Sequence, residues 1–443
     1  MPEALEKKPR SLAEWLAWQE QLHPSEIDLG LDRVKEVAGR LALLDPCAKT
    51  LTVGGTNGKG STVLALETLL LSENQRVGSY TSPHLRHYNE RVRLNGKPVD
   101  DAVLVEAFER VDEARAGTSL TYFEFGTLAA LLIFKQAKVD FQVLEVGLGG
   151  RLDAVNIIDA DVAIVTNVSV DHESWLGNDR ESIAKEKIGI YRKTANCLYG
   201  ESDLPAVFRF YREEGNALCV FGEDFSCDPL HEVNEKAATS QCLQWQGACK
   251  GEALKSLVLP SLGMSPANAA CAIQAMCCLG FRVSEAWGAA LHNKRLPGRY
   301  QRKTVAGRKV ILDVAHNQAS VACLIENLGK EALTGKFRFV VSVLADKDHQ
   351  TIFSQFANIA NRAHWYLAPV KSTRSCDVTV MSRTLQKCLC SGKENRAELQ
   401  TFDTIPLALE SAINSSLADD LIVVFGSFYT VSEALEFLET ESI

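Results

Sequence analysis

The chain has 443 residues, which is enough for two or three domains at roughly 150 residues each. Its hydrophobic fraction of 46% and charged fraction of 23% are typical of globular proteins and exclude collagen-like, disulfide-scaffold and wholly disordered classes. The 47 Lys and Arg against 56 Asp and Glu give a net charge of −9, so we predict no nucleic-acid partner. Any anion must therefore be held by a local site, because the overall field repels it.

The first residues, MPEALEKKPRSLAEW, lack the apolar core and small-residue cleavage site of a secretory signal. The apolar run at 128–134 is shorter than the roughly 20 residues that a membrane-spanning helix needs. The 13 Cys residues are scattered, with no second pair at zinc-finger spacing, and we interpret them as small hydrophobic residues. We predict a cytoplasmic protein with no membrane span and no structural zinc.

From about residue 50 onward, short apolar runs alternate with segments of helical period, which predicts βα repetition and a mainly parallel, doubly wound sheet. The predicted strands are 50–53, 76–80, 141–146 and 162–167, followed by 310–313, 339–344, 364–368 and 421–425. Residues 201–255 are less regular and predict a peripheral β-rich patch, and 266–280 predicts an apolar helix. Leu296-Pro297-Gly298-Arg299 punctuates the pattern and predicts a hinge between two domains.

The clearest local motif is the stretch 51–62, LTVGGTNGKGST, which predicts a strand, a glycine-rich turn and a helix. Glycines let backbone N–H groups surround a phosphate, and the helix N-terminus adds favourable partial charge. Lys59 would supply a point charge, and the hydroxyl of Ser61 or Thr62 would ligate magnesium or cap the helix. The spacing departs from the generic phosphate-loop pattern, so an ordinary turn with a capping serine is the alternative.

Glu145 ends a predicted strand and is followed by glycine-rich sequence, VGLGGRLD. A carboxylate at this position suits a hydrated magnesium ion that bridges to nucleotide phosphates, whereas a dinucleotide fingerprint would leave room for phosphate. His172 lies in the polar loop after the next strand, where a metal-ligand role and a purely structural role are both open.

In the second half of the chain, the sequence ILDVAHN places Asp313 and His316 at one strand end. Asp is suited to holding a ribose hydroxyl or an ion, and the rigid fork of Arg299 suits a phosphate. Surface ion pairs are the alternative for each of these residues.

These blocks together resemble the folylpolyglutamate synthase and dihydrofolate synthase group of the Mur ligase superfamily. The matching stretches span nearly the whole chain: 27–31, the GTNGKGS loop, 80–85, 145–156, 186–189, 296–299, 312–317 and 425–431. The resemblance implies a two-domain α/β ligase. A phosphate-loop-containing, parallel-sheet ATP-binding domain over 1–296, with a pterin or folate pocket, precedes a smaller Rossmann-like ligase domain over 297–443.

The resemblance also implies the site residues. The implied ATP-binding residues are Gly55, Thr56, Asn57, Gly58, Lys59, Gly60, Ser61, Thr62, Asn268, Arg299, Asp313 and His316. The implied metal ligands are Ser82, Glu145, His172 and Lys187, the last as a carbamate, and the implied catalytic residues are Lys59, His172 and Lys187. The implied pterin or folate contacts are Thr121, Tyr122, Phe123, Glu124, Leu152, Asp153 and Ala154.

The carbamate at Lys187 and the pterin or folate contacts are both chemically reasonable, and each has an alternative. Carbamylation would turn the Lys187 cation into an anion with oxygen ligands for a second magnesium ion, and an ordinary helix-surface lysine is the alternative. Aromatic rings offer stacking faces and Asp153 offers a hydrogen-bond acceptor to a pterin edge, whereas Phe123 and Phe125 can equally be core residues.

The implied reaction is the addition of L-glutamate to dihydropteroate and to reduced folates, through an acyl phosphate formed from ATP, with two Mg²⁺ ions and a monomeric enzyme. A folylpolyglutamate synthase without the first activity is the alternative. A cell-wall Mur ligase is disfavoured because only about 50 residues precede the phosphate loop, too few for a further domain. A GTPase-like switch is disfavoured because the chain has no Asn-Lys-x-Asp segment. Val155, Gln318 and Tyr429 depart from the group's usual residues, which affects the expected substrate range.

Overall fold

The structure is a computed structural model that describes residues 11–25, 27–230, 242–249, 252–389 and 398–440. The chain divides into two compact units, Met1–Lys294 and Arg295–Ile443, close to the predicted hinge. Part of the N-terminal segment (1–10) and part of the predicted β-rich patch (231–241 and 250–251) lie outside the described residues.

The first unit is built on a predominantly parallel sheet. Its strands in chain order are β1 Lys49–Gly54, β2 Val77–Tyr80, β3 Val92–Leu94, β4 Lys97–Pro98, β5 Phe141–Glu145, β6 Val162–Val165, β7 Asn196–Tyr199 and β8 Leu218–Val220. They are arranged in the order β4-β3-β2-β5-β1-β6-β7-β8. Strands β2, β5, β1, β6, β7 and β8 run parallel, and β3 and β4 form an antiparallel extension. This order puts the ends of β1, β5 and β6 side by side at the centre of the sheet.

Helices cover both faces of this sheet. They are α1 Leu12–Leu22, α2 Asp32–Arg40, α3 Lys59–Ser72, α4 Asp101–Arg115, α5 Tyr122–Ala137, α6 Glu173–Leu176, α7 Arg180–Lys187, α8 Ala206–Glu213, α9 Pro266–Cys278 and α10 Glu285–Leu291, with 3₁₀ helices at Tyr88–Arg91, Ala154–Ile157 and Ile188–Ile190. Alternate residues of β1 and β5 point to opposite faces, so each face has its own buried cluster. Helix α3 packs with α9 on one face, and α5 packs on the other.

A small antiparallel sheet completes the first unit: β9 Phe225–Pro229, β10 Leu243–Cys249, β11 Glu252–Ala253 and β12 Leu257–Leu259. The β-rich prediction for 201–255 is therefore correct for β9, β10 and β11. It missed α8, whose buried Phe208 packs against Tyr191 and Tyr199.

The second unit has a separate sheet with its own core. Its elements in chain order are β13 Gln301–Val305, β14 Arg308–Asp313, α11 Gln318–Gly329, β15 Phe337–Val341, α12 His349–Ser354, a 3₁₀ helix at Ala357–Arg362, β16 Ala363–Leu367, α13 Val378–Leu389, β17 Glu398–Thr401, α14 Ile405–Ser415, β18 Leu421–Phe425 and α15 Phe428–Thr440. The strand order is β13-β14-β18-β15-β16-β17, parallel except for β13. The predicted class, a parallel-sheet domain followed by a smaller α/β domain, is confirmed. Among the described residues, no helix is both long and apolar enough to cross a membrane.

Candidate active site

The turn between β1 and α3 leaves the N-terminus of α3 open. Gly58 precedes the helix in the left-handed region, with φ of 83°, and provides no side-chain cap. The backbone N–H groups of a first helical turn have no partner within the helix. This geometry excludes the alternative of an ordinary turn capped by serine, because Ser61 lies inside the helix. The open end is suited to an anion.

Asn167, at the exit of β6, clamps the first part of this loop. Its Oδ1 accepts hydrogen bonds from the N–H of Thr56 at 3.1 Å and of Asn57 at 2.8 Å, and its Nδ2 donates to the Asn57 carbonyl at 3.1 Å. The N–H groups of Thr56 and Asn57 therefore face Asn167, and donation to a phosphate falls to the N–H groups at the start of α3. Sequence reasoning missed Asn167, although the polar residues that follow an apolar strand were a usable signal.

Lys59 and Asn268 both lie against the loop. The Lys59 ammonium donates to the carbonyls of Gly55 at 3.1 Å and Thr56 at 3.2 Å. Asn268 is buried at the start of α9, and a Cβ on Gly58 would come within 2.7 Å of its side-chain amide atoms. The structure thus brings together a lysine, an amide side chain and an open helix end.

Glu145 and Ser82 meet beside this loop because β5 lies between β1 and β2 in the sheet. Glu145 is buried, and its Oε2 accepts a hydrogen bond of 3.0 Å from the Ser82 backbone N–H. His172 is exposed, with φ of 55°, immediately before α6. In the part of the chain that the structure describes, no three His, Cys, Asp or Glu side chains form a ready metal-binding group. A metal here would need hydroxyl, water, phosphate or carbamate oxygens as further ligands, which is usual for Mg²⁺.

Lys187 is a buried lysine, which excludes the surface-lysine alternative. Burial, followed by the positive charge of Lys59, lowers its pKa to about 7. The glycine-rich loop after β5 is fastened to the same helix end, since Arg151 N–H donates to the Glu186 carbonyl at 2.8 Å and Asn156 Nδ2 to the Gly189 carbonyl at 3.1 Å. These contacts fix the end of α7 beside the exit of β5.

The predicted pterin-contacting residues at the start of α5 fall into two groups. Thr121 and Glu124 form a capping box, in which Glu124 Oε2 accepts from Thr121 N–H at 2.8 Å. The other oxygen of Glu124 accepts from Arg33 at 3.1 Å, so both carboxylate oxygens have partners within the unit. Tyr122 and Phe123 are half-buried, and the rings of Phe123 and Tyr80 lie 5.8 Å apart. Phe125, by contrast, is completely buried in the core.

Asp153 lies in the loop after β5, between half-buried Leu152 and buried Ala154. Its carboxylate accepts from the N–H groups of Leu148 at 2.8 Å and Val155 at 3.0 Å. Burial nevertheless raises the pKa of Asp153 to about 6, and the backbone donors only partly offset that effect.

In the second unit, Arg299, Asp313 and His316 come together at the end of β14. The Asp313 carboxylate accepts from the N–H groups of Tyr300 at 2.7 Å and Ala315 at 2.8 Å, and burial raises its pKa. The Arg299 guanidinium lies 4.8 Å from the ring centroid of Phe428, and His316 Nδ1 donates to the Val314 carbonyl at 2.7 Å.

Two domain families match the chain. The Mur ligase middle domain matches residues 53–224, and the Mur ligase glutamate ligase domain matches residues 298–428. Dihydrofolate synthase/folylpolyglutamate synthase of Escherichia coli is 38% identical over 97% of this chain and 96% of its own length. The Haemophilus influenzae protein of the same name is 38% identical over 96% and 97%.

Solved structures give the same relationship. E. coli FolC in complex with DHPP and ADP matches with a TM-score of 0.87 and 36% identity, covering 98% of this chain and 99% of that one. A bifunctional folylpolyglutamate synthase/dihydrofolate synthase from Yersinia pestis, complexed with AMPPNP and Mn ion, matches with a TM-score of 0.84 and 38% identity, covering 98% and 100%.

By its domain order and its parallel α/β fold, the chain is a Mur ligase. Within that class it belongs to the dihydrofolate synthase/folylpolyglutamate synthase family. It is accordingly an enzyme, an ATP-dependent ligase that joins glutamate through an amide bond. The predicted family and reaction class are confirmed.

Proposed function

We propose that the chain adds L-glutamate both to dihydropteroate and to reduced folates, and that the β1–α3 turn holds the ATP phosphates. The observation that carries this assignment is the uncapped N-terminus of α3, with Lys59 and Asn268 packed against the loop. Backbone N–H groups and one ammonium are the donors that a triphosphate requires.

ATP and a divalent metal ion are the cofactors, and we assign two Mg²⁺ ions to the site. The fit rests on Glu145, a buried carboxylate held by the Ser82 backbone next to the phosphate loop. A buried carboxylate needs compensating positive charge or hydrogen bonds, and a metal ion supplies the former. Ser82, Glu145 and His172 are the proposed protein ligands of one ion. Magnesium supplies neutralisation of the charge that develops on the transferred phosphoryl group.

Lys187 is the proposed ligand of the second ion, as a carbamate. Carbamylation requires a neutral amine to attack CO₂, and the pKa of about 7 that burial imposes on Lys187 makes this form available near neutral pH. The modified side chain would carry negative charge next to Lys59.

Acceptor binding is assigned to the segment before and within α5 and to the loop after β5. Tyr122 and Phe123 offer half-buried ring faces, and Asp153 offers a carboxyl group that its raised pKa keeps partly protonated. Thr121 and Glu124 hold the start of α5 in place through their capping box, with Leu152 and Ala154 beside Asp153. The acceptor's carboxylate would take the γ-phosphoryl group of ATP, and the amine of glutamate would then attack the resulting acyl phosphate.

The nucleotide contacts assigned to Arg299, Asp313 and His316, the monomeric state, the cytoplasmic location and the domain limits at Leu296 stay predictions. Each can be tested on the intact chain.

The decisive experiment supplies ATP, magnesium and glutamate with either dihydropteroate or a reduced folate, and identifies the products by mass. We expect a product one glutamate heavier in both reactions. A product with reduced folate alone would leave the chain a folylpolyglutamate synthase only. ADP release independent of both acceptors would contradict the ligase assignment for this site.

The metal assignment is tested by titrating magnesium in Glu145→Gln. The amide keeps the size of the side chain but removes its charge, so we expect the magnesium concentration for half-maximal activity to rise about tenfold. Glu223→Gln, which alters a surface ion pair with Arg212, is the matched control. Equal magnesium requirements in the two variants would remove Glu145 from the metal site.

A further inference from the structure

Arg180, the first residue of α7, makes a hydrogen bond with every nitrogen of its guanidinium group. Nε donates to the Val168 carbonyl at 2.9 Å, and NH1 to the Asp203 carboxylate at 2.5 Å. NH2 donates to the Asp203 carbonyl at 2.7 Å and to Tyr199 and Glu201 at 3.2 Å each. One side chain thereby joins the start of α7, the exit of β6 and the exit of β7.

Glu201 completes the same junction. Its Oε2 accepts from Val168 N–H at 3.1 Å and from the Tyr199 hydroxyl at 2.8 Å, in addition to Arg180. Both backbone polar groups of Val168 are thus fixed, the N–H by Glu201 and the carbonyl by Arg180. Two constraints of this kind set the orientation of the chain at Val168.

Val168 lies between the two residues that hold the phosphate loop. Asn167 clamps the N–H groups of Thr56 and Asn57, as described above. On the other side, Ser169 N–H donates to Thr56 Oγ1 at 3.0 Å, and that hydroxyl donates to the Ser169 carbonyl at 3.0 Å. A shift of Val168 would therefore be transmitted to both clamps of the loop.

The opposite end of α7 carries Lys187. Because Arg180 is at the first position of this helix, the contacts that hold Val168 also hold the helix that ends at Lys187. The phosphate loop and the buried lysine are thus tied through a single guanidinium group.

We propose that Arg180, together with Glu201, is a positioning residue that fixes the phosphate loop relative to the helix bearing Lys187. It contacts neither substrate nor metal in this role and acts through Val168 and its neighbours. The proposal rests on the proposed function, since it assumes that the β1–α3 turn binds the nucleotide.

The alternative is a purely stabilising ion-pair cluster. The Arg180 side chain is 31% exposed and that of Asp203 is 82% exposed, so such pairs contribute little to stability. A displacement of the loop by about 1 Å, in contrast, can reduce turnover by about 100-fold. The two roles therefore predict different measurements.

The chain offers a matched control in Arg212. Its side chain is 36% exposed and pairs with Glu223 and Asp224, beside the edge strand β8. The test compares Arg180→Gln with Arg212→Gln by turnover, by KM for ATP, glutamate and reduced folate, by ADP affinity from calorimetry, and by the thermal midpoint.

We expect Arg180→Gln to raise KM for ATP and Kd for ADP about tenfold, with the KM values for glutamate and folate within twofold of the parent. Arg212→Gln should match its thermal midpoint but keep the parent's ADP affinity. Arg180→Lys, which keeps the charge but has a single donor head in place of the fork, should fall between the two. Equal ADP affinity in Arg180→Gln and Arg212→Gln would overturn the proposal, as would an equal rise in all three KM values.

Glu201→Gln is the second variant, for use where Arg180→Gln fails to fold. It retains the side chain's shape and should also weaken ADP binding. The double variant, Arg180→Gln with Glu201→Gln, should bind ADP no more weakly than the worse single variant, because both residues act through Val168. Unchanged ADP affinity in Glu201→Gln, or fully additive losses, would overturn the proposal.

Lys59→Ala distinguishes a failure of the proposed nucleotide site from a failure of the positioning role. If this variant binds ADP normally, the nucleotide site itself is misassigned. If it loses ADP binding while the Arg180 variants keep theirs, only the positioning role fails.

Discussion

The β1–α3 turn in the first unit and the β14–α11 turn in the second both lead from a buried parallel strand into a helix, yet they treat the helix N-terminus in opposite ways. Helix α3 begins after Gly58, with no side-chain cap. Helix α11 begins after Asn317, whose Oδ1 accepts from Ser320 N–H at 3.0 Å in a capping box.

The difference separates two uses of one motif. A capped helix end has some of its orphan N–H groups satisfied within the chain, whereas an uncapped end keeps them available for a ligand. The β14–α11 turn also carries its own carboxylate, Asp313, which accepts from Ala315 N–H two residues on. Negative charge and a cap make that turn a poor place for phosphate, so its Asp313 suits a hydroxyl group or a cation better.

The variant Lys59→Ala is the strongest test of the contrast between the two turns. Lys59 is the cation placed on the uncapped turn, and its ammonium donates to the loop carbonyls of Gly55 and Thr56. We expect a loss of about 10³-fold in turnover, because one preorganised charge at the transferring phosphoryl group is removed, with little change in the thermal midpoint. ADP release in the presence of glutamate and a folate acceptor measures it.

Lys185→Ala, on the exposed face of α7, is the control for loss of one positive charge. Near-parental turnover in Lys59→Ala would contradict the assignment of the ATP phosphates to the β1–α3 turn.

Asp153 in the first unit resembles Asp313 in the second: each has a carboxylate that accepts from the backbone N–H two residues further along the chain. Burial raises its pKa to about 6 from the ordinary 3.8, so the folded protein retains this proton to higher pH than the unfolded chain. The stabilisation from that proton is complete below the unfolded pKa and is lost as the pH rises through the folded value. Relative to Asp153→Asn, the unfolding free energy of the parent should fall by ~3 kcal/mol between about pH 3.5 and pH 7.

Chemical denaturation of the parent and of Asp153→Asn at several pH values gives that difference. Effects of the Asn side chain that do not depend on pH cancel when the difference is followed against pH. A flat difference across this range would place the carboxylate in a better solvated setting than its burial indicates. An Asp313→Asn series should have the same sign, because burial raises the pKa of Asp313 as well.

Apolar runs predicted the strands well: 421–425 coincides with β18, and 50–53 lies within β1. An apolar run does not show at which residue a strand begins. The predicted strand 339–344 therefore lies two to three residues later than β15, Phe337–Val341, which begins with two buried residues, Phe337 and Arg338. Arg338 was unpredictable as a strand residue because its burial depends on Asp420, far along the chain, which accepts from its Nε at 2.7 Å.

Candidate site residues with a chemical signature, such as Lys59 and Glu145, could be proposed from the sequence. Arg180 had no such signature, and Asn167 was signalled only by its place in the polar stretch after an apolar strand, because the contacts of both residues are with backbone groups that come near them after folding. Glu124 shows the converse: the family resemblance implied a ligand contact, whereas the structure gives it a cap and an ion pair with Arg33.

Gly58→Ala tests whether the uncapped turn needs its glycine. The left-handed φ of 83° strains any other residue, and the new Cβ would lie 2.7 Å from the Asn268 amide. We expect a loss of about 2 kcal/mol in unfolding free energy together with weaker ADP binding. Gly280→Ala is the matched control, since φ there is 93° and nothing lies within 4 Å of the added Cβ. Equal effects of the two variants on ADP affinity would mean that contact with Asn268 does not matter to the nucleotide.

The smallest expected effect belongs to the capped turn. Asn317→Ala removes the side-chain acceptor for Ser320 N–H, and the loss of a helix cap costs about 1 kcal/mol in unfolding free energy. ADP affinity should change less than in Gly58→Ala, because the cap on this helix end marks it as closed by the chain and not left open for a ligand. Denaturant titration of the intact protein measures the first quantity and calorimetry the second. A larger loss of ADP affinity in Asn317→Ala than in Gly58→Ala would reverse the contrast between the two turns and move the phosphate-binding role toward the second unit.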